Sequence, residues 1–305
     1  MDPILVRIGP FAIRWYGVLI VVGALLAGYI ASSEARRKGD QTEHVWDALA
    51  VVLITGLLGA RLYHVFSSPT GSIGWEYYRR HPLDIIAFWR GGFAGLGIYG
   101  AVAGGALGLL AYTYWNKLPF LRWADSAAPG LVLAQAIGRW GNYINQELYG
   151  FPTTWRIRFD LSFGGRVVWP LGARVDWPWG ITIDAAHRIP PYDNLTLYPL
   201  ETRFHATFLY ESLWNFLCFA LLMLLARRYS DRLLEGDVFT AYFILYPFGR
   251  LFVEALRPDA WKVASIPVAQ IIALVCIAGA GAKLWYRHRV APAVSESPEG
   301  REEEG

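Results

Sequence analysis

The sequence predicts an all-α, polytopic membrane protein with about seven transmembrane helices, its N-terminus outside, and a small extracytoplasmic head. Three observations predict it. Hydrophobic residues make up 54% of the 305 and charged residues only 17%, with a mean hydropathy of +0.29, whereas a soluble domain carries about a quarter of its residues charged. Seven apolar stretches approach the roughly 20 residues that a helix needs to cross the hydrocarbon core. Basic residues follow alternate stretches, which assigns each connection a side of the membrane.

The expected spans are 15 to 34, 46 to 66, 94 to 115, 124 to 139, 206 to 226, 237 to 256 and 266 to 286. The first is preceded by Arg7 without a basic cluster and followed by no small-residue cleavage site, so it reads as a retained span. Arg36, Arg37 and Lys38 follow span one, Lys117 and Arg122 span three, Arg227, Arg228 and Arg232 span five, and Arg287 and Arg289 span seven. The positive-inside rule makes that face cytoplasmic. The integral membrane domain is then 1–290, and 291–305 is an acidic cytoplasmic tail of disordered composition, ending SESPEGREEEG. The long outer loop, 140–205, carries Trp155, Trp169, Trp177 and Trp179 among prolines and glycines, a mixture suited to a head resting at headgroup level.

Composition excludes several functions. A net charge of +3 gives no support to nucleic-acid binding. Cys218 and Cys276 lie inside apolar runs with no Cys or His at ligand spacing, so neither a disulfide nor a metal site is expected, and no cofactor is implied. Gly100, Gly104 and Gly108, like Gly97, Ala101 and Gly105, recur at four-residue steps that let membrane helices approach closely. Gly91-Gly92 could instead cradle a phosphate.

The polar residues near the span ends converge. Tyr16 opens span one, Arg61 and His64 end span two, and Tyr99 lies near the start of span three; Arg139 and Asn142 close span four. His205, Tyr210 and Glu211 open span five, and Arg250, Glu254 and Arg257 finish span six. With the orientation above, all of these lie toward the outer leaflet. An ionisable group at membrane depth costs ~2.5 kcal/mol or more, so a cluster from six spans asks for mutual pairing or a polar ligand. Arg250, Glu254 and Arg257 follow i, i+4, i+7 spacing and share a helix face, with Glu254 between the two guanidinium groups. Several arginines with carboxylate supports suit a phosphate, since a guanidinium offers a rigid fork of donors and keeps its charge. At a bilayer surface the abundant phosphate is a phospholipid headgroup.

The stretch GRWGNYINQELYG, 138 to 150, resembles the signature of the prolipoprotein diacylglyceryl transferase family. IGPFAIRWYG, GARLYHVF, GIYGAVAGG, FHATFLYES and GRLFVEALRPD also resemble family segments, in the family's order, over roughly residues 8 to 262. The resemblance implies an enzyme of the bacterial inner membrane with its site toward the outer leaflet. Its partners would be phosphatidylglycerol, surrounding membrane lipids, and the lipobox cysteine in the signal peptide of a preprolipoprotein. The diacylglyceryl group would pass to the cysteine thiol as a thioether, releasing glycerol phosphate. By resemblance Arg139 and Arg250 are the principal phosphate ligands, Asn142 and Glu147 shape the headgroup site with Gly150, Glu254 orients Arg250, and Tyr16 lines the lipid cavity. Arg61, Tyr210, Glu211 and Arg257 join them as binding residues through the convergence described above.

Tyr99 stands where many family members have histidine, and a phenol with an ordinary pKa near ~10 is a poorer base at neutral pH. Either His205 helps deprotonate the thiol or the cationic site itself ionises it. Gln146, Ala206 and Phe208 are smaller departures. A transporter with an outer anion-binding vestibule is the alternative; it requires polar residues continuing to the cytoplasmic side, where spans one, five and seven are apolar.

Overall fold

The computed structural model describes residues 2–8, 11–67, 74–85, 97–156, 162–163, 166–167, 174–176, 180–263 and 266–290. The chain divides into two compact units, 27–130, and 1–26 with 131–305. Gly91-Gly92, Trp169, Trp177, Trp179 and the acidic tail lie outside the described residues.

Eight α-helices are present among the described residues: α1 (Trp15–Arg37), α2 (Glu43–Ser67), α3 (Trp75–Arg80), α4 (Ile98–Trp115), α5 (Phe120–Ile144), α6 (Thr207–Arg228), α7 (Asp237–Ala255) and α8 (Val268–Trp285). Five of them, α1, α2, α6, α7 and α8, are long and apolar enough to cross a membrane. The expected third and fourth spans are the helices α4 and α5. α4 carries no charged residue but four aromatic ones, Tyr99, Tyr112, Tyr114 and Trp115, and α5 carries Arg122, Asp125 and Arg139. The all-α expectation omitted five two-stranded antiparallel ribbons found among the described residues. Their strands are two to five residues long, too short for an alternating pattern to register in the sequence.

In the unit 27–130, α2 packs against α4 through glycines. A Cβ at Gly59 would lie 3.0 Å from Gly104 Cα, and one at Gly104 would strike the carbonyl of Thr55, so the small-residue steps of the sequence are the surface on which the two backbones meet. Polar groups tie the start of α5 to the turn after α1: Arg122 Nε donates to Asp40 Oδ2 at 2.9 Å and its Nη2 to the Lys38 carbonyl at 2.6 Å, while Lys38 Nζ donates to Ser126 Oγ at 3.1 Å. Burial pulls the Lys38 ammonium below the usual lysine range, against the attraction of Asp125 and Glu34.

In the other unit, α7 packs on both α6 and α8. Gly236, with φ +93°, turns the chain into α7, and Asp237 in its first turn accepts the Leu234 N–H at 2.8 Å, satisfying a donor at the positive end of the helix. Asp237 also pairs with Arg287 at 3.1 Å and His288 at 2.6 Å beyond α8. A small head forms around Tyr149, Ile183, Tyr192 and Phe204. Arg188 holds it together from inside: its guanidinium, over the Phe204 ring, donates to the carbonyls of Ile183, Tyr198, Pro199 and Leu200. Buried backbone carbonyls need donors, and one guanidinium supplies all four, the Pro199 carbonyl accepting the Thr202 N–H at 2.9 Å as well.

Candidate catalytic site

The site forms where three helices of one unit bring their ends together: the last turns of α5 and α7 and the first turns of α6. Glu211, 5% exposed, is at its centre. Its Oε1 accepts Arg250 Nη1 at 2.6 Å, and its Oε2 pairs with Nε of Arg139. Arg250 Nη2 pairs with Glu254, one turn along α7, and Glu254 faces Arg257 Nη1 at 3.7 Å. Arg257 is held in addition by Asp259, at 2.7 Å. One carboxylate therefore brings the guanidinium groups of two helices into one place, and a second orients one of them. Isolated cations this deeply buried would repel each other; interleaved carboxylates make the cluster tolerable and fix its geometry.

The signature loop completes this end of the unit. Asn142 Nδ2 donates to Glu147 Oε1 at 2.9 Å and Asn145 Nδ2 to the same oxygen at 3.3 Å, which folds the loop back on the end of α5. Gln146 and Leu148 adopt left-handed backbone, with φ of 53° and 58°. Gln146 is held there by a two-point clasp on the head, its Oε1 accepting the Asp184 N–H at 2.7 Å while its Nε2 donates to Asp184 Oδ2. Left-handed conformation in non-glycine residues persists only where surrounding contacts enforce it. A cavity of about 280 Å3 is lined by Asn145, Glu147, Tyr149, His187, Ile189 and Asp259, among others.

Gly150 lies where the loop squeezes between two other segments. Its N–H donates to the His205 carbonyl at 2.9 Å, the following Phe151 N–H donates to the Leu256 carbonyl at 2.9 Å, and a Cβ would sit 2.9 Å from that carbonyl and 2.7 Å from His205 Cβ. Tyr16 packs its ring where a side chain on Gly141 would be, and it is half-exposed.

His205 is buried, and its Nδ1 lies 3.2 Å from the Tyr210 hydroxyl. Burial pushes the imidazole below the usual histidine range, so it is neutral at pH 7. As pH falls the unfolded chain takes up this proton first, so stability is lost through the window that opens at the unfolded value near ~6.5 and closes at the lower folded value. His205→Gln should therefore lose less of its thermal midpoint than the wild type between about pH 7.5 and pH 5.5. Equal losses in the two proteins, by thermal scanning in detergent, would show that the imidazole does not titrate with folding.

Of the residues singled out in the sequence, this unit contains Tyr16, Arg139, Asn142, Glu147, Gly150, His205, Tyr210, Glu211, Arg250, Glu254 and Arg257. Arg61 and Tyr99 belong to the other unit. There the Arg61 guanidinium donates to the carbonyls of Ile85 at 2.8 Å and Asp84 at 2.7 Å and lies over the Tyr78 ring. Tyr99 is 60% exposed, with its ring against Tyr63. The sequence reading placed Glu211 among the binding residues; the structure shows it joining the two arginines. That reading missed Gln135, Asn215 and Tyr246, each four residues from Arg139, Glu211 or Arg250. Helical repeat from those three charged residues is the signal that finds them.

The model of the family described as prolipoprotein diacylglyceryl transferase matches residues 3–286. The chain is 38% identical over 295 residues to the phosphatidylglycerol--prolipoprotein diacylglyceryl transferase of Chloroflexus aggregans, covering 92% of this chain and 87% of that protein. It is 39% identical to the protein of that name from Symbiobacterium thermophilum, covering 95% of each, and 36% identical to the one from Streptococcus agalactiae, covering 95% and 97%.

Proposed function

Because this chain belongs to the prolipoprotein diacylglyceryl transferase family, we propose that it transfers the diacylglyceryl group of phosphatidylglycerol to the lipobox cysteine of a preprolipoprotein, with Arg139 and Arg250 gripping the phosphate. The observation that carries the assignment of roles is the single carboxylate, Glu211, paired with both guanidinium groups. The protein lies in the bacterial inner membrane, crosses it seven times with its N-terminus outside, and carries out the reaction toward the outer leaflet. Basic residues beyond alternate helices support that orientation.

The chemistry follows from charge. The cysteine thiolate attacks the glycerol carbon that bears the phosphate; the sulfur–carbon bond forms as the carbon–oxygen bond breaks, and the electron pair leaves on the phosphate oxygen. A phosphodiester with one negative charge thereby becomes a phosphomonoester that can carry two. Fixed guanidinium groups stabilise that added charge more in the transition state than in the bound lipid, the condition for accelerating the step. Arg139 meets Glu211 through Nε, so its terminal nitrogens are offered to the phosphate. The same cationic field favours the thiolate of the incoming cysteine. The glycerol headgroup is taken up beside Glu147, where Asn142, Asn145 and Glu147 supply donors and an acceptor for its hydroxyls, and Gly150 holds the wall close.

The test is transfer itself. The purified protein in detergent, given phosphatidylglycerol and a lipobox peptide, should yield a thioether-linked diacylglyceryl peptide and free glycerol phosphate. No product under conditions where the Chloroflexus aggregans relative succeeds would overturn the assignment.

A further inference from the structure

One helical turn behind the arginines lies a second polar layer. Gln135 is four residues before Arg139 on α5, Asn215 four after Glu211 on α6, and Tyr246 four before Arg250 on α7, so each is stacked on the same face of its helix as the charged residue it follows or precedes. Asn215 is 1% exposed, and its Nδ2 has no hydrogen-bonding partner among the described residues. Gln135 donates through Nε2 to the Tyr242 hydroxyl at 2.9 Å, and its buried Oε1 likewise accepts nothing from the described residues. Asn215 faces a cavity it shares with Glu211, Trp214, Tyr246, Gly249 and Arg250, which leaves about 10 Å3 for the centre of a water molecule. The indole of Trp214 already donates to the Leu245 carbonyl at 2.9 Å, whereas Asn215 Nδ2 brings to this cavity a buried donor without a partner among the described residues. Gly249 lets the Trp214 ring lie against the backbone of α7, since a Cβ there would collide with it.

A buried amide N–H is satisfied in nearly every folded protein, and a polar cavity of about one water's size next to one is where an ordered water is found. We infer that Asn215 is a positioning residue for the transfer reaction: it holds one buried water, which donates in turn to the Glu211 carboxylate and fixes it against the guanidinium groups of Arg139 and Arg250. The water sits in the α6–α7 interface behind the reacting groups and touches no substrate. It acts as a strut, making the angle of the carboxylate, and so of both cations, independent of side-chain fluctuation. This role rests on the transferase reading, but the water itself does not.

Asn215→Leu keeps the branching and the number of heavy atoms and removes the donor, while Asn215→Ser keeps a hydrogen-bonding group. In the transfer assay, Asn215→Leu is expected to lower kcat about tenfold with KM for phosphatidylglycerol within about twofold, since a small misplacement of a catalytic charge acts on the reacting geometry more than on ground-state binding. Asn215→Ser is expected to retain at least about half of kcat, because a hydroxyl can still anchor water. Wild-type kcat in Asn215→Leu, or equal losses in the two variants, overturns the inference. Should Asn215→Leu fail to fold, an experimental map of the wild-type protein decides: density for a water bonded to Asn215 Nδ2 supports the role, and a dry cavity refutes it. An inactive wild type sinks the transferase reading alone, because the map still reports on the water.

Discussion

Arg250→Lys should lower turnover by about 10²–10³-fold, the loss that follows removal of one donor aimed at a developing oxyanion, while the protein remains folded. Arg250 binds two carboxylates at once, Glu211 through Nη1 and Glu254 through Nη2. These two contacts fix the plane of the guanidinium and hence the direction in which it would face the phosphate in the proposed reaction. A lysine ammonium is a point charge on a flexible stem; it keeps the net charge and can satisfy one of the carboxylates, but it cannot span both and still present a fork to the phosphate. The charge balance of the buried cluster is preserved, so the variant should leave a detergent column as a single species like the wild type. Steady-state transfer assays with phosphatidylglycerol and a lipobox peptide give the measurement. Since the interaction strengthens as the carbon–oxygen bond breaks, the loss should fall on kcat more than on KM. Turnover within about threefold of wild type would mean that charge alone suffices and that the fork has no part in the reaction.

The membrane character, the boundaries of most helices and the pairing of Arg250 and Arg257 with Glu254 were legible in the sequence because each is written in local pattern. Apolar runs mark helices: the expected span 237 to 256 is the helix Asp237–Ala255, and 15 to 34 lies within Trp15–Arg37. The i, i+4, i+7 spacing of Arg250, Glu254 and Arg257 placed Glu254 between two guanidinium groups, and the structure has it there. The role of Glu211 was hidden for a physical reason. It joins Arg139 and Arg250 from helices distant in the chain, and no spacing rule tells which of several carboxylates a given arginine meets. The head was illegible for another: its ribbons have strands of two to five residues and are held by contacts such as Arg188 on four carbonyls, which follow from tertiary packing rather than from any period. The Arg61 contacts were illegible for a third reason: its guanidinium donates to the backbone carbonyls of Ile85 and Asp84, more than twenty residues along the chain, which no local spacing shows.

Glu211→Gln should act on stability and catalysis together. In the folded protein this carboxylate is the only described group paired with both Arg139 and Arg250. An amide of the same shape removes its charge and leaves two buried guanidinium groups facing one another across a neutral group, with Glu254 still paired to Arg250. Breaking a buried ion pair from one side costs about 3–5 kcal/mol, because the remaining charge keeps its desolvation penalty and loses its partner. A clear drop in the thermal midpoint is therefore expected, well beyond that of Glu254→Gln, whose loss leaves Arg139 and Arg250 joined through Glu211. Turnover should fall by about 10²-fold or more, since mutual repulsion moves both cations away from the position they must hold in the transition state. The sign of the response to anions separates this account from simple unfolding. With the internal carboxylate neutralised, the two arginines present an unmet demand for negative charge, so glycerol phosphate should raise the thermal midpoint of Glu211→Gln more than that of the wild type. A smaller rise in the variant than in the wild type would show that the guanidinium groups do not share a site for phosphate, and the roles assigned to Arg139 and Arg250 would fall with it.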